Sequence, residues 1–414
     1  MLRVKFALAA NAARAWRFGL YAVLCLPAFS CGGGGGSSYV PSPTPSGSNV
    51  VGVVVDSGPA ASTDVNTLFT TVTVCVPGST TNCQTIDHIQ VDTASDGLRI
   101  LAPVLTLNLP VQMAADGNSL VECTQFVDGY SWGPVALADV QISGESASSV
   151  PVQVIGDPGF AVIPAECSSS GTAENTVAAF GANGILGIGV FNQDCGSFCA
   201  STLQNGSYYS CTTTLCTSTT AILTAQVTNP AVLFATDNNG VVIQMPSVAA
   251  AGAASVTGSL TFGIDTQTNN KSGSQTVLTV DPDVGYFTTV FKAQNLTQSF
   301  LDTGSNGIYF NDATIPQCTD PNFTDFYCPA GTQNLSAMLQ GQNAMSATVN
   351  FSIANAQTLG TGDPSFTAFA TLSGSYPGDT STFDWGLPFY FNRTVYTAFE
   401  NAATSVGTGP YVAF

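Results

Sequence analysis

Two aspartates stand out by their surroundings: Asp92 in VDTASDGLRI (residues 91–100) and Asp302 in LDTGSNGIYF (residues 301–310). The stretches share Asp, Thr, Ser and Gly at the same offsets, with apolar residues before and after. A lone Asp-Thr-Gly is ordinary turn chemistry; two copies in matched contexts are a much stronger signal, and they make the chemistry of paired carboxyls the one to consider. Carboxylates about 3 Å apart cannot both ionise cheaply, so they share a proton and titrate as a pair. The ionised member can take a proton from water while the protonated one donates to a carbonyl. That chemistry needs no cofactor and no metal. The chain has a single histidine, His88, which excludes multi-His metal sites and leaves any Ser-His-Asp or Cys-His arrangement dependent on one residue. His88 lies four residues before Asp92 on an extended stretch, roughly 13 Å away, and is expected on a sheet surface or between lobes.

The elements that must hold these aspartates read as strands. From about residue 50 the chain alternates short Thr/Val/Ile-rich runs with Gly, Pro, Asn and Asp: VVGVVVD, TTVTVCV, IDHIQVD, VALADVQIS, SVTGSLTFGI, VLTV and SATVNFSI. Short helices are expected only near 221–226 and 395–403. The fold class is all-β. LFTTV at 68–72 recurs as YFTTV at 286–290, each copy preceding one Asp-Thr motif. GILGIG at 184–189 and DWGLPFYF at 384–391 follow the two motifs as further Gly-containing apolar elements. The chain reads as two copies of one β-unit.

This arrangement resembles the pepsin-like aspartic peptidases, over residues from about 50 to the end. The resemblance implies a bilobal double β-barrel with a pseudo-twofold repeat and a few short helices, the lobes spanning 49–268 and 269–414. It implies that Asp92 and Asp302 are catalytic and that Thr93 and Thr303 hydrogen-bond across the lobe interface. Ser95 and Ser305 would steady the outer carboxylate oxygens, with Gly304 beside them. Residues 126–144 resemble the hairpin that covers the cleft, with Phe126, Gly129, Tyr130 and Trp132 as its candidate residues. Three departures are visible: Ala94 replaces the motif glycine, Phe126 stands where the hairpin's tyrosine is usual, and Asp384 replaces an apolar residue. The expected activity is peptide-bond hydrolysis; the alternative is an inactive relative that binds peptides or an envelope protein. A β-protein with a structural role, its Asp-Thr motifs merely turns, is a further rival. The chain is also similar to an uncharacterised family of proteobacterial lipoproteins, through its Cys-Gly-rich start, the Cys-Val-Pro-Gly at 75–78 and the Gly-Pro-Tyr-Val-Ala at 409–413.

Composition bounds location and partners. Of 414 residues only 8% are charged, with eight Lys+Arg against 26 Asp+Glu. A net charge of −18 excludes nucleic acid partners, whose phosphates demand cations. Four of the cations (Arg3, Lys5, Arg14 and Arg17) precede an apolar run at 18–29 that is too short to span a bilayer. Residues 1–30 read as a secretory signal. AFSC resembles a lipobox, making Cys31 the lipidated residue, with residues 31–48 as a Gly/Ser/Pro tether. An outer-membrane lipoprotein is the expected form, its membrane contact made through that lipid; cleavage after Ser30 to a soluble exported protein is the alternative. A monomer acting on peptides or proteins is expected. Without the signal, four Lys+Arg face 26 Asp+Glu, a net charge of −22.

Twelve cysteines leave ten once Cys25 and Cys31 are set aside, an even number suited to five disulfides in an exported chain. Cys75 with Cys83, Cys318 with Cys328, and Cys123 with Cys167 are the expected pairs. Cys195, Cys199, Cys211 and Cys216 leave three connectivities open. A zinc site there is disfavoured because the spacing lacks a tight CxxC knuckle. Arg99 and Arg393 are expected to pair with carboxylates, and Phe389, Tyr390 and Phe391 to lie in the core.

Overall fold

A computed structural model describes residues 46–414 apart from 61, 63, 128, 204–205 and 377–378. The expected signal, Cys31 and all but the end of the tether lie outside the described residues.

The chain is all-β, with few and short helices. Strands β1 (Val50–Val55), β2 (Leu68–Cys75), β3 (Cys83–Asp92), β4 (Asp96–Leu101), β5 (Ser119–Gln125), β6 (Gly129–Ile142) and β7 (Glu145–Ile155) come first. Then follow β8 (Thr172–Ala173), β9 (Gly184–Ile188), β10 (Tyr208–Cys211), β11 (Cys216–Ser218), β12 (Gly240–Met245) and β13 (Val256–Phe262). The second half supplies β14 (Val277–Thr279), β15 (Phe287–Phe291), β16 (Gln294–Leu301), β17 (Ile308–Phe310), β18 (Gln333–Gln340) and β19 (Ser346–Ile353). It ends with β20 (Ser373–Gly374), β21 (Thr382–Trp385), β22 (Arg393–Ala398), a small ribbon of β23 (Ala403–Thr404) and β24 (Gly407–Thr408), and β25 (Tyr411–Ala413). The seven runs read as strands fall on β1, β2, β3, β6, β13, β14 and β19.

In the larger sheet the order β6-β7-β4-β9-β3-β2 is closed by a further pairing of β2 with β6. Closure leaves these six strands without a free edge, which suits their apolar alternation. From β2 the sheet runs on through β1, β13, β12, β22, β25 and β14, so the last strands of the chain join a sheet begun by its first. The second sheet has the order β19-β18-β15-β16-β21-β17-β20. One apolar core runs through both, from Val72, Ile89 and Leu186 to Phe310, Phe383 and Trp385.

A helix expected over 395–403 is instead β22, paired with β12 on one side and β25 on the other. Val395, Tyr396 and Thr397 are β-branched or aromatic, and two-sided ladder bonding outweighs any helical preference. The helix expected over 221–226 shrinks to a single 3-10 turn at Leu223–Ala225.

All five disulfides form: Cys75–Cys83, Cys123–Cys167, Cys195–Cys199, Cys211–Cys216 and Cys318–Cys328. The four-cysteine cluster resolves into two local loops, Cys211 facing Cys216 across the β10–β11 pair.

Candidate active site

The two aspartates lie at the ends of equivalent strands, Asp92 as the last residue of β3 and Asp302 immediately after β16. β3 runs parallel to β9, with Asp92 opposite Gly187, and β4 returns antiparallel along the other side of β9. In the second half β16 runs parallel to β21 with Leu301 opposite Trp385, and β17 returns antiparallel along it. The next neighbour repeats too: β4 pairs parallel with β7, and β17 with β20. Each Asp-Thr motif therefore arches over a central strand, which explains the recurring GILGIG and DWGLPFYF elements. Gly187 has no room for a side chain, since a Cβ there would lie 2.7 Å from Asp96 backbone.

The arches meet at their threonines. Thr93 Oγ1 donates to Leu301 O at 3.0 Å, and Thr303 Oγ1 donates to Val91 O at 2.7 Å. The Thr303 N–H donates to Thr93 Oγ1 at 3.0 Å. Thr93 and Thr303 are buried, so these bonds compete with no water. Tyr390, read from sequence as core, is buried but also polar in effect: its hydroxyl lies 2.9 Å from Thr93 Oγ1.

Asp92 and Asp302 converge. A Cβ on Gly304 would sit 2.8 Å from Asp92 Oδ1 and 2.9 Å from Asp302 Oδ1, so only glycine fits between them. The two side chains hydrogen-bond to one another. Each carboxyl has matching local donors. Asp92 accepts from the Ala94 N–H at 2.8 Å and from Ser95 Oγ; Asp302 accepts from the Gly304 N–H at 2.6 Å and from Ser305. Burial, then the charge of Asp92 and the hydrogen bond with it, hold the Asp302 carboxyl well above the usual carboxylate range. Ala94 packs against Phe300 and Tyr286.

A third acid adjoins them. Asp384 is fully buried on β21, and burial followed by the charge of Asp302 pushes it well above its ordinary value. Tyr376 is raised as well, through burial and then Asp384. The sequence marked Asp384 as a departure but gave no sign of Tyr376, which reaches the site from the far end of β20.

The hairpin residues make contacts of their own. Phe126 closes the β5–β6 turn, its N–H donating to Gly129 O at 2.7 Å, and its ring meets Phe180 edge-on. Tyr130 and Trp132 pack with Cys123, Cys167, Tyr209 and Cys211, and the Trp132 indole donates to Phe160 O at 2.7 Å.

His88 sits at a bulge of β3, 3.4 Å from Asp56 and 3.3 Å from Asp87, on the sheet surface. Arg99 forms the expected structural pair: it is buried, 2.8 Å from Glu122, with Asp194 at 3.6 Å. Among the described residues Arg393 has no carboxylate partner; it donates to the Phe389 and Asn350 carbonyls and lies over the Phe389 ring. Its position behind an aromatic layer offers carbonyls and a π-face in place of an acid. Among the described residues no group of three or more His, Cys, Asp and Glu is placed to hold a metal.

Residues 45–414 match the family model described as protein of unknown function (DUF3443), and the chain belongs to that family. No curated protein matches it.

Proposed function

We propose that this DUF3443 member is an aspartic peptidase of the pepsin-like type, hydrolysing peptide bonds with Asp92 and Asp302 in a cleft between two lobes. The observation that carries the reading is the convergence of two carboxyls on the single point above Gly304, each with its own backbone and serine donors. A pair merely serving as turns would not need to be driven together in a buried site, where burial and mutual repulsion are costly.

The pair holds one proton, placed on Asp302. Asp92 takes a proton from water as the water oxygen bonds to the scissile carbonyl carbon, and Asp302 gives its proton to the carbonyl oxygen. Collapse of the tetrahedral gem-diol breaks the C–N bond: the departing nitrogen takes the proton collected by Asp92 while a diol hydroxyl returns its proton to Asp302, leaving a carboxylic acid, an amine and the pair with its one proton restored. The donors from Ala94, Ser95, Gly304 and Ser305 fix both carboxyls before the reaction starts. The alternative, an inactive binding protein, draws on Ala94, whose methyl stands at one of the two motif glycine positions.

For location we propose an exported lipoprotein held by lipid on Cys31 and separated from the membrane by the Gly/Ser/Pro tether. Detergent-phase partition of the wild type that is lost in Cys31→Ser tests this. The activity is tested by peptide-library cleavage from acid to neutral pH, with pepstatin and with Asp92→Asn and Asp302→Asn.

A further inference from the structure

Asp384 occupies a position that an apolar residue would fill without cost. Its neighbours Phe383 and Trp385 stack on each other with ring centroids 4.3 Å apart and face the aromatic core, so alternation along β21 sends Asp384 to the opposite face. There it is fully buried, and among the described residues neither carboxylate oxygen meets a partner at full hydrogen-bond geometry, although the Ser305 side chain is close enough to act on it. An ionised carboxylate so placed is expensive, because a single serine hydroxyl is a poor replacement for its lost water. The backbone fixes it beside the first pair: the Asp302 N–H donates to Trp385 O at 3.0 Å and the Leu387 N–H to Ser305 O at 2.8 Å.

The groups acting on it come from every neighbouring element. Asp302 and Ser305 lie on the β16–β17 arch and Asp92 at the end of β3. Tyr376 follows β20, and Tyr390 follows the turn Leu387–Phe389. Tyr309, opposite Asp384 on β17, turns its hydroxyl to Asn306. None of these is a cation. Ser305 stands between the acids, close enough to act on Asp302 and Asp384 alike.

Resting on the peptidase reading, we propose that Asp384 is a positioning residue: a neutral carboxylic acid that donates its proton to the Ser305 hydroxyl and so aims the Ser305 hydrogen at Asp302. A hydroxyl that accepts one hydrogen bond becomes a stronger donor in the next. The chain Asp384–Ser305–Asp302 thus stabilises the anionic forms of the pair, and the three acids together carry two protons in the working state. Were Asp384 ionised, Ser305 would turn to it and Asp302 would lose its donor.

Infrared spectroscopy of the purified protein near neutral pH, where ordinary carboxyls are already ionised, reads this without turnover. The protonated-carboxyl band should fall by about half in Asp384→Asn and in Asp384→Leu, since one of two protons is removed. The remaining band should vanish about one pH unit higher in Asp384→Leu, which has no donor, than in Asp384→Asn, which keeps one; that shift matches the net worth of one hydrogen bond. If peptides are cleaved, the pH–rate bell should move up by about the same amount in Asp384→Leu, with kcat reduced and KM held, and return toward wild type in Asp384→Asn. A band unchanged by Asp384→Asn, or two variants that titrate alike, overturns the proposal. Should Asp384→Leu fail to fold, the band amplitude in Asp384→Asn decides. Absence of any cleavage by the wild type sinks the peptidase reading and leaves the infrared result to judge the carboxyl chain by itself.

Discussion

Thr303 hands its backbone N–H to the hydroxyl of Thr93, 3.0 Å away, while each threonine hydroxyl donates to the residue preceding the other half's aspartate. The two halves of the chain are thereby locked at the point where their carboxyls meet. Positioning and folding share the same bonds.

Removing one of those hydroxyls leaves a buried carbonyl without a donor. Thr303→Val should cost about 1–3 kcal/mol in denaturant unfolding, the penalty for an orphaned buried acceptor. Thr73→Val, at an exposed hydroxyl pair with Thr85, should cost under about 0.5 kcal/mol. Equal losses at both positions would contradict the assignment.

Gly304→Ala drives a methyl to within 2.8 Å of Asp92 Oδ1. The carboxyls must separate, so the shared proton should be lost and, on the proposed peptidase reading, kcat should fall about a hundredfold for a displacement near 1 Å. Circular dichroism should remain native, because the neighbours that yield are side chains. Ala94→Gly, at the equivalent position, should be tolerated with catalysis retained.

Stability should peak on the acid side of neutrality. The folded carboxyls of Asp302 and Asp384 are raised, so the native state keeps protons that the unfolded chain releases above about pH 3.9. Their contribution is complete below that value and drains away as pH climbs toward their folded values, by about 1.4 kcal/mol per pH unit for each proton retained. Asp265, Asp312 and Asp379 act in the opposite sense: burial there is outweighed by hydrogen bonds from Ser272, Lys292 and Thr382, and their support fades as pH falls below the ordinary carboxylate range. Thermal melts across pH should show the maximum between these limits, with a shallower alkaline decline in Asp384→Asn. A melting temperature that rises steadily to pH 8 would contradict this.

The disulfides should rank by the loop they close. Cys123–Cys167 spans 44 residues and its loss should cost about 4 kcal/mol, against about 2 kcal/mol for Cys195–Cys199, which spans 4. Paired Cys→Ser variants compared by chemical denaturation measure the difference, and peptide mapping under non-reducing conditions checks the pairing.

Much of this fold can be read locally. Val, Ile and Thr alternating between turn residues announce β1, β3 and β13, and the short spacing of Cys75 and Cys83 or of Cys318 and Cys328 announces their bonds. The twin Asp-Thr motifs carry the strongest signal, because each needs a strand before it and a small residue such as Gly187 beneath. What was not legible depends on distant partners. β22 reads like a helix until β12 and β25 flank it, and Arg393 reads like half of an ion pair until the Phe389 ring occupies the place of an acid. Asp384 could be noticed as an oddity, but only its burial among Ser305, Asp302 and Tyr376 gives that oddity a chemistry. Likewise nothing in the run Phe389-Tyr390-Phe391 separates the tyrosine that touches Thr93 from its core neighbours.

The central claim, that Asp92 and Asp302 act as one proton-sharing pair on a peptide bond, is tested most directly by peptide-library cleavage between acid and neutral pH. The account predicts cleavage that pepstatin blocks and that falls by about three orders of magnitude or more in either Asp92→Asn or Asp302→Asn, with the double variant little worse than each single one, as expected of residues that act as a unit. No cleavage at any pH, or cleavage that survives both substitutions, would contradict it.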